Sequence, residues 1–430
     1  MNRAANNNTS TFGHTLLTGL LVTAVILFIK WCFEHHRLYQ GYQSSSYVWL
    51  QSRLRPPVGR DDLPVAIVDI HQLAPIEKQT NERKFFITPR NELLELITKV
   101  AEQGPSVIGV DIDFSPNQFG YMDLENDQVF FRKLMELSKR TNVPIFLGIR
   151  RSQEKFPERW LGATEFNSLP ASIWIPPDQR KVLKSLVISR ESIAETRRGR
   201  SMALALAEAH LKHLIQSSTG WIIRRDSQEE ITPNVKAEEF LVDFSPLKLM
   251  QDLRLTTRNA SSIADLGWTL QGKVVLIGDG ETNDTRDTYG VPNDAYPSGI
   301  AGIFKHAAGV YTLIKAPLYE FTTFGRIVVD FLLALLVLIP VALLRRKVAQ
   351  DPGSTFAEHT AVITFTVVVI IIAFFVGVMF VHFTRVMWDD LPFVILALCS
   401  HRLISKIVYF GWIGVRRIPE LLTWAFTKRR

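Results

Sequence analysis

The sequence predicts an α/β protein, with a largely parallel sheet flanked by helices in one extracytoplasmic domain and about four transmembrane helices around it. Three observations carry this expectation. Apolar runs long enough to cross a bilayer are confined to the two ends of the 430-residue chain. The stretch between them alternates short β-branched runs with apolar residues at helical spacing. Lys and Arg gather beside the apolar runs, so the formal net charge of +7 belongs to the ends, while residues 34–320 are close to neutral. A nucleic-acid partner is excluded on that ground, because its footprint is a basic patch on a folded domain. Cys32 and Cys399 both lie in or beside apolar segments. The domain between them can form no disulfide and no zinc-thiolate site, and must rest on its core.

The first apolar run, residues 15–29, carries no charge and continues to Phe33. Arg3 alone precedes it, and Glu34, His35, His36 and Arg37 after it offer no small-residue cleavage site, so an uncleaved anchor is expected rather than a signal peptide. The second run, 327–344, is interrupted by Asp330 and stopped by Arg345, Arg346 and Lys347. Residues 361–383 form a third, without Asp, Glu, Lys or Arg. The fourth begins at Leu391 and stays clean only to Ser400 before His401, Arg402 and Lys406. Basic residues at 345–347 and from Arg402 to Arg430 place those segments in the cytoplasm, and the domain outside it. The expected plan is residues 1–33 as cytoplasmic end and first helix, 34–320 as extracytoplasmic domain, 321–410 as helices two to four, and 411–430 as a basic tail, in a bacterial inner (plasma) membrane.

Within the domain, 65–70 reads as a strand. Thr88 is the expected N-cap of a helix with Pro89 at its first position and Leu93, Leu94, Ile97, Val100 and Ala101 on one face, closed by Gly104 and Pro105. A strand at 107–113 follows, and strand, helix, strand implies a parallel pair with a crossover. An amphipathic stretch at 129–138 precedes a strand at 145–149. The middle, 151–259, offers a helix at 201–214 and a strand at 240–244 between loops marked by Pro170, Pro176 and Pro177. A buried strand at 274–277 then ends in Gly278, and a helix spans about 299–314.

Asp69, Asp111, Asp113 and Asp279 fall at or just past the ends of these strands, where open α/β sheets place their ligands. Asp111 and Asp113 are expected on one strand face, about 7 Å apart, a spacing suited to a divalent cation, a polyol or an amine. The competing reading is that such aspartates cap helices and complete turns. Gly278-Asp279-Gly280 lacks both the Gly-x-Gly-x-x-Gly spacing and a following Lys-Ser/Thr of phosphate loops. His306, beside Ala307 and Ala308, reads from its neighbours as a packed or hydrogen-bonded histidine. No catalytic acid, base or nucleophile constellation is visible, and no enzyme is expected.

Val65-Ala-Ile-Val-Asp69-Ile, Pro89-Arg90, Val107-Ile-Gly-Val-Asp111-Ile-Asp113-Phe and Gly272-Lys-Val-Val-Leu-Ile-Gly278 with Asp287, Pro292, Gly299 and His306-Ala307 together resemble the type 2 CHASE domain, a cyclase and histidine-kinase associated sensory extracellular domain. The resemblance covers residues 35–320 and implies a ligand site drawn from Asp69, Arg90, Asp111, Asp113, Asp279, Asp287 and His306, with no particular metal or cofactor. The family's Pro-Gly-Val before the His-Ala pair is lengthened here to Pro297-Ser-Gly299-Ile-Ala-Gly302-Ile. Family members usually continue into a cytoplasmic cyclase or kinase, and the residues after Ser400 are too few for one. The expected function is therefore a membrane-anchored sensory, ligand-binding protein that relays its signal to a separate cytoplasmic partner, with the lipid bilayer, an unidentified small ligand and a second copy in a homodimer as further partners. A membrane-tethered, metal-dependent enzyme of the cell envelope is the alternative.

Overall fold

The computed structural model describes residues 19–29, 58–73, 75–79, 84–114, 124–149, 170–173, 184–186, 201–212, 239–256, 270–281, 287–291, 298–315, 319–320, 323–349, 356–384 and 386–387, with a few single positions besides. The chain divides into two compact units, one formed by Ser44–Thr219 and Ile223–Tyr319, the other by Met1–Gln43, Gly220–Ile222 and Glu320–Arg430.

The larger unit is built on a six-stranded parallel sheet. Its strands are β1 (Val65–Asp69), β4 (Val107–Asp111), β5 (Ile145–Ile149), β6 (Pro170–Ser172), β9 (Leu255–Thr256) and β10 (Val274–Gly278), in the order β6-β5-β4-β10-β1-β9. Three antiparallel pairs stand apart from it, β2 (Ile76–Gln79) with β3 (Lys84–Ile87), β7 (Lys184–Leu186) with β8 (Glu239–Leu241), and β11 (Thr288–Tyr289) with β12 (Ile300–Ala301). β1 and β4 do not pair directly as the strand, helix, strand pattern suggested. β10 lies between them, paired with both. All five β10 residues are buried, as are all five of β1, which is what a central parallel strand covered on both faces requires.

Alternation along the strands sorts the core into two clusters. Ala66, Val68, Ile108, Val110, Val275 and Ile277 face the helices written here as α2 (Arg90–Glu102) and α3 (Leu124–Thr141). Val65, Ile67, Val107, Val274 and Leu276 face α4 (Met202–Leu211), α5 (Leu247–Asp252) and α6 (Gly302–Lys315). α2 starts one residue later than expected, at Arg90. Pro89 occupies the N-cap position without a side-chain bond, and its carbonyl accepts from Leu93 N–H at 3.0 Å. At the other end Gln103 is the C-cap, and Gly104, expected to stop the helix, takes φ 68° just beyond it. Ser201 caps α4 by accepting from Leu204 N–H at 3.2 Å. A Cβ on Gly109 would stand 2.7 Å from Leu206 Cδ1 and 3.0 Å from Met202 Sδ, so α4 lies directly on β4 because that position has no side chain. The strand expected at 240–244 is shorter, Glu239–Leu241, since Asp243 turns the chain by accepting from Ser245 N–H at 2.9 Å.

In the smaller unit, α1 (Gly19–Ile29) and two long helices, α7 (Thr323–Ala349) and α8 (Phe356–Thr384), are apolar. Among the described residues one stretch is long and apolar enough to cross a membrane, Gly325–Leu344 in α7; Gly19–Ile29 and Thr364–Phe380 are shorter. The fourth expected helix, from Leu391, falls outside the described residues but for Val394. α7 is two-faced: Ile327, Phe331, Leu336 and Leu343 are exposed, whereas Asp330, Ala334, Val337, Leu338 and Val341 are buried. A Cβ on Gly19 would meet Leu338 Cδ2 at 2.5 Å, so α1 approaches α7 closely there.

Candidate functional site

The carboxyl ends of the three central strands are in register, Asp69 of β1 beside Gly278 of β10 and Gly278 beside Asp111 of β4. All three belong to the set of alternate positions that faces α6. With strands about 4.8 Å apart, the two aspartates are separated by two strand spacings, roughly 10 Å. Gly278 leaves a notch between them, and Ile303 of α6 fills it: an added Cβ would lie 3.0 Å from Ile303 Cδ1.

Asp69 organises the β10 side of this edge. It is 3% exposed; its Oδ1 accepts from the N–H groups of His71 and Gly280, both at 2.9 Å, and its Oδ2 lies 3.7 Å from Arg254 Nη1. Arg254 also donates to the Gly280 carbonyl at 3.2 Å and to Glu281 Oε1 at 3.0 Å. The loop after β10 is thus clamped between β1 and the residue preceding β9. Asp279 completes its turn by accepting from Glu281 N–H at 2.9 Å, with its side chain exposed and 3.5 Å from His71 Nδ1.

The β4 side is buried and charged. Asp111 Oδ1 is 3.9 Å from His306 Nε2, with side chains 9% and 4% exposed. Lys305, 1% exposed, lies 5.6 Å from the centre of the Tyr289 ring. Asp287 sits over the start of α6: its carbonyl accepts from Gly302 N–H at 3.0 Å, and its Oδ1 would be 2.7 Å from a Cβ on Gly302, so only glycine leaves room for the carboxylate beside the positive end of that helix. Burial pushes His306 down to about 4; the Asp287 carboxylate and a hydrogen bond with the Ile173 backbone work against that shift, and the Lys305 ammonium works with it. His306 is therefore a neutral imidazole at pH 7.

Of the residues named from sequence, the structure brings together Asp111, Asp287 and His306, places Asp69 and Asp279 in the neighbouring clamp, and sends two elsewhere. β4 stops at Asp111, the chain bends at Ile112, and Asp113 is exposed beyond it, so the expected Asp111–Asp113 pair on one strand face does not form. The cause is local: Phe114 N–H bonds to Gly148 O at 3.0 Å and turns the chain across β5. Arg90 lies under α3, its Nε 2.6 Å from Asp127 Oδ1 and its guanidinium 4.6 Å from the Phe114 ring and 5.6 Å from Phe130. Phe114, Phe130 and Asp127 belong with α2 and α3, on the sheet face away from α6. Sequence reasoning missed Arg254, Glu281, Tyr289 and Lys305. Only Lys305 left a signal, a charge inside an otherwise apolar helix. Among the described residues no group of three His, Cys, Asp or Glu side chains is arranged to hold a metal ion.

A family model, the CHASE2 domain, matches residues 20–342. No curated protein and no solved structure matches the chain.

Proposed function

The chain belongs to the CHASE2 domain family, a family of sensory extracellular domains, and from that premise we propose that it is a multi-pass membrane sensor whose extracytoplasmic domain reads a stimulus at the Asp111–Asp287–Lys305–His306 edge. The signal passes along the chain from α6 to α7 and on to a separate cytoplasmic partner. One observation carries this reading: α6 holds Lys305 and His306, is buried from Gly302 to Ile314, and is followed after Lys315 by only seven residues before α7, the helix that contains the membrane-length stretch. A change at the sheet edge that moves α6 has a short path to that helix.

Topology is the first test. A periplasmic-active reporter fused after residue 200 is expected to be active, and one fused at Arg430 inactive; the reverse pattern removes the extracytoplasmic domain and with it the proposal. Co-purification from membranes then identifies the partner.

A further inference from the structure

The outer faces of α2 and α3 carry matched charge patterns. α2 leads from β1 toward β4 and α3 from β4 to β5, all parallel strands, so the two helices lie side by side on one face of the sheet and point the same way. Two contacts fix their relative levels: Arg90 with Asp127, 37 residues apart, and Glu102 with Arg140, 38 apart. On that scale Glu95 stands level with Arg132 and Lys133, Lys99 with Glu136, and Glu102 with Lys139 and Arg140, and every one of them is exposed. From amino to carboxyl end, α2 presents negative, positive, negative, and α3 presents positive, negative, positive. Contacts within the chain engage little of this. Arg140 Nη2 lies 3.5 Å from Glu102 Oε1, and Lys99 turns to Glu95 of its own helix at 2.7 Å. Among the described residues Arg132, Lys133, Glu136 and Lys139 enter no ion pair.

We propose that this face is where two copies of the chain meet, about a two-fold axis that lies between α2 and α3 and runs parallel to both. Such an axis sets each α2 over the α3 of the second copy, parallel and at the same level. Glu95 then meets Arg132 and Lys133, Lys99 meets Glu136, and Glu102 meets Lys139 and Arg140, each contact occurring twice. An axis across the helices would instead stack α2 antiparallel on α2 and α3 on α3, with Glu95 against Glu102 and Lys133 against Lys139. The charges that favour the first arrangement therefore reject the second. The face is small. A helix of 13 residues is about 20 Å long and two abreast are about 20 Å wide, roughly 400 Å² per copy, half of what each partner in a stable complex buries. Among its described residues Val129 is the one large exposed apolar side chain, so the attraction is electrostatic and the association weak, reversible and sensitive to salt. This surface lies on the side of the sheet away from α6 and stands independently of the sensory reading.

The test uses the full chain in detergent, with donor and acceptor fluorescent proteins fused after Arg430 in separate batches, and reads energy transfer between copies at concentrations up to about 100 µM. Wild type is expected to associate at about 50 mM salt and to lose roughly tenfold in affinity at about 500 mM, where the screening length falls to about 4 Å. Glu95→Lys with Glu102→Lys, and separately Lys133→Glu with Lys139→Glu, should each weaken self-association about tenfold, because like charges then meet at four places around the axis. Mixing the two double variants should restore pairing to near the wild-type level: the lysines placed on α2 of one copy meet the glutamates placed on α3 of the other. Mixing cannot repair a contact made within one chain, so the rescue separates recognition between copies from a role inside the α2–α3 layer. Absence of transfer in wild type at low salt, association indifferent to salt, a double variant that pairs with itself as tightly as wild type, or a mixture that fails to pair overturns the proposal. The salt dependence of wild type decides by itself if a variant fails to fold.

Discussion

Removing Arg90 tests whether it is a ligand-binding residue or part of the scaffold. Its Nε is 2.6 Å from Asp127 Oδ1, and the two side chains are 12% and 8% exposed. Breaking such a buried pair by deleting one partner costs about 3–5 kcal/mol, because the other charge stays buried without its counterpart. Contacts to Phe114 and Phe130 contribute about 0.5–2 kcal/mol more. Taking about 4 kcal/mol for Arg90→Ala, and about 2–4 °C of melting temperature per kcal/mol in a domain of this size, the expected loss is roughly 8–16 °C. Asp127→Asn should cost somewhat less, since an amide still accepts from the guanidinium. Arg90→Met with Asp127→Leu should recover most of the loss, because two apolar side chains of similar volume replace both charges at once. Differential scanning fluorimetry of the full chain in nanodiscs reads all four. A shift under about 2 °C for Arg90→Ala, or a double variant no better than the single, would mean that Arg90 is not a structural charge and would return it to the list of ligand-binding candidates.

Acid should weaken the domain through His306. Its folded value, about 4, is depressed below the ordinary 6.5, so the folded state resists a proton that the unfolded chain accepts. Its contribution is fully present above pH 6.5 and falls away as pH drops toward 4, by roughly 3 kcal/mol, visible as a difference in melting temperature between wild type and His306→Gln that narrows across that window. Glycines in the two adjoining strands should differ sharply. Gly148→Ala puts a Cβ 2.5 Å from the Ile112 carbonyl, a backbone atom that cannot swing aside, and is expected to cost about 2–3 kcal/mol; Gly109→Ala meets the mobile ends of Leu206 and Met202 and should cost less, which chemical denaturation compares directly. Truncation after Arg417 removes the aromatic and basic tail, and the expected result is loss of the co-purifying partner with normal membrane insertion. Unchanged recovery would leave that tail an anchoring role only.

Strand identity was legible wherever apolar residues ran together. Val65–Asp69, Ile145–Ile149 and Val274–Gly278 follow from β-branched runs bounded by Pro, Gly or Asp, because a strand buried on both faces has few other compositions open to it. The start of α2 was legible to within one residue, Pro89 taking the cap position expected of Thr88, and the helices at Met202–Leu211 and Gly302–Lys315 were equally local matters. The positions of the acidic residues at strand ends were visible too, but not their roles. Asp69 and Asp111 look alike in sequence, each closing a β-branched run. The first turned out to accept two backbone N–H groups, one of them from Gly280, and the second to face a buried imidazole.

That distinction lives in pairings across long separations, which periodicity does not encode. The insertion of β10 between β1 and β4 is a choice of partner made by the whole core, and it is this choice that sets Gly278 between two aspartates and admits Ile303. Arg90 was a ligand candidate only through the family resemblance; tertiary packing gave it Asp127 and two phenyl rings on the face of the sheet away from α6. The sequence by itself determined which segments are apolar, where the strands β1, β4, β5 and β10 and the longer helices of the domain lie, and to which family the chain belongs. Only the tertiary structure decided which charges are buried together, because the free energy of a buried charge depends on neighbours a few ångströms away in space, whatever their distance along the chain.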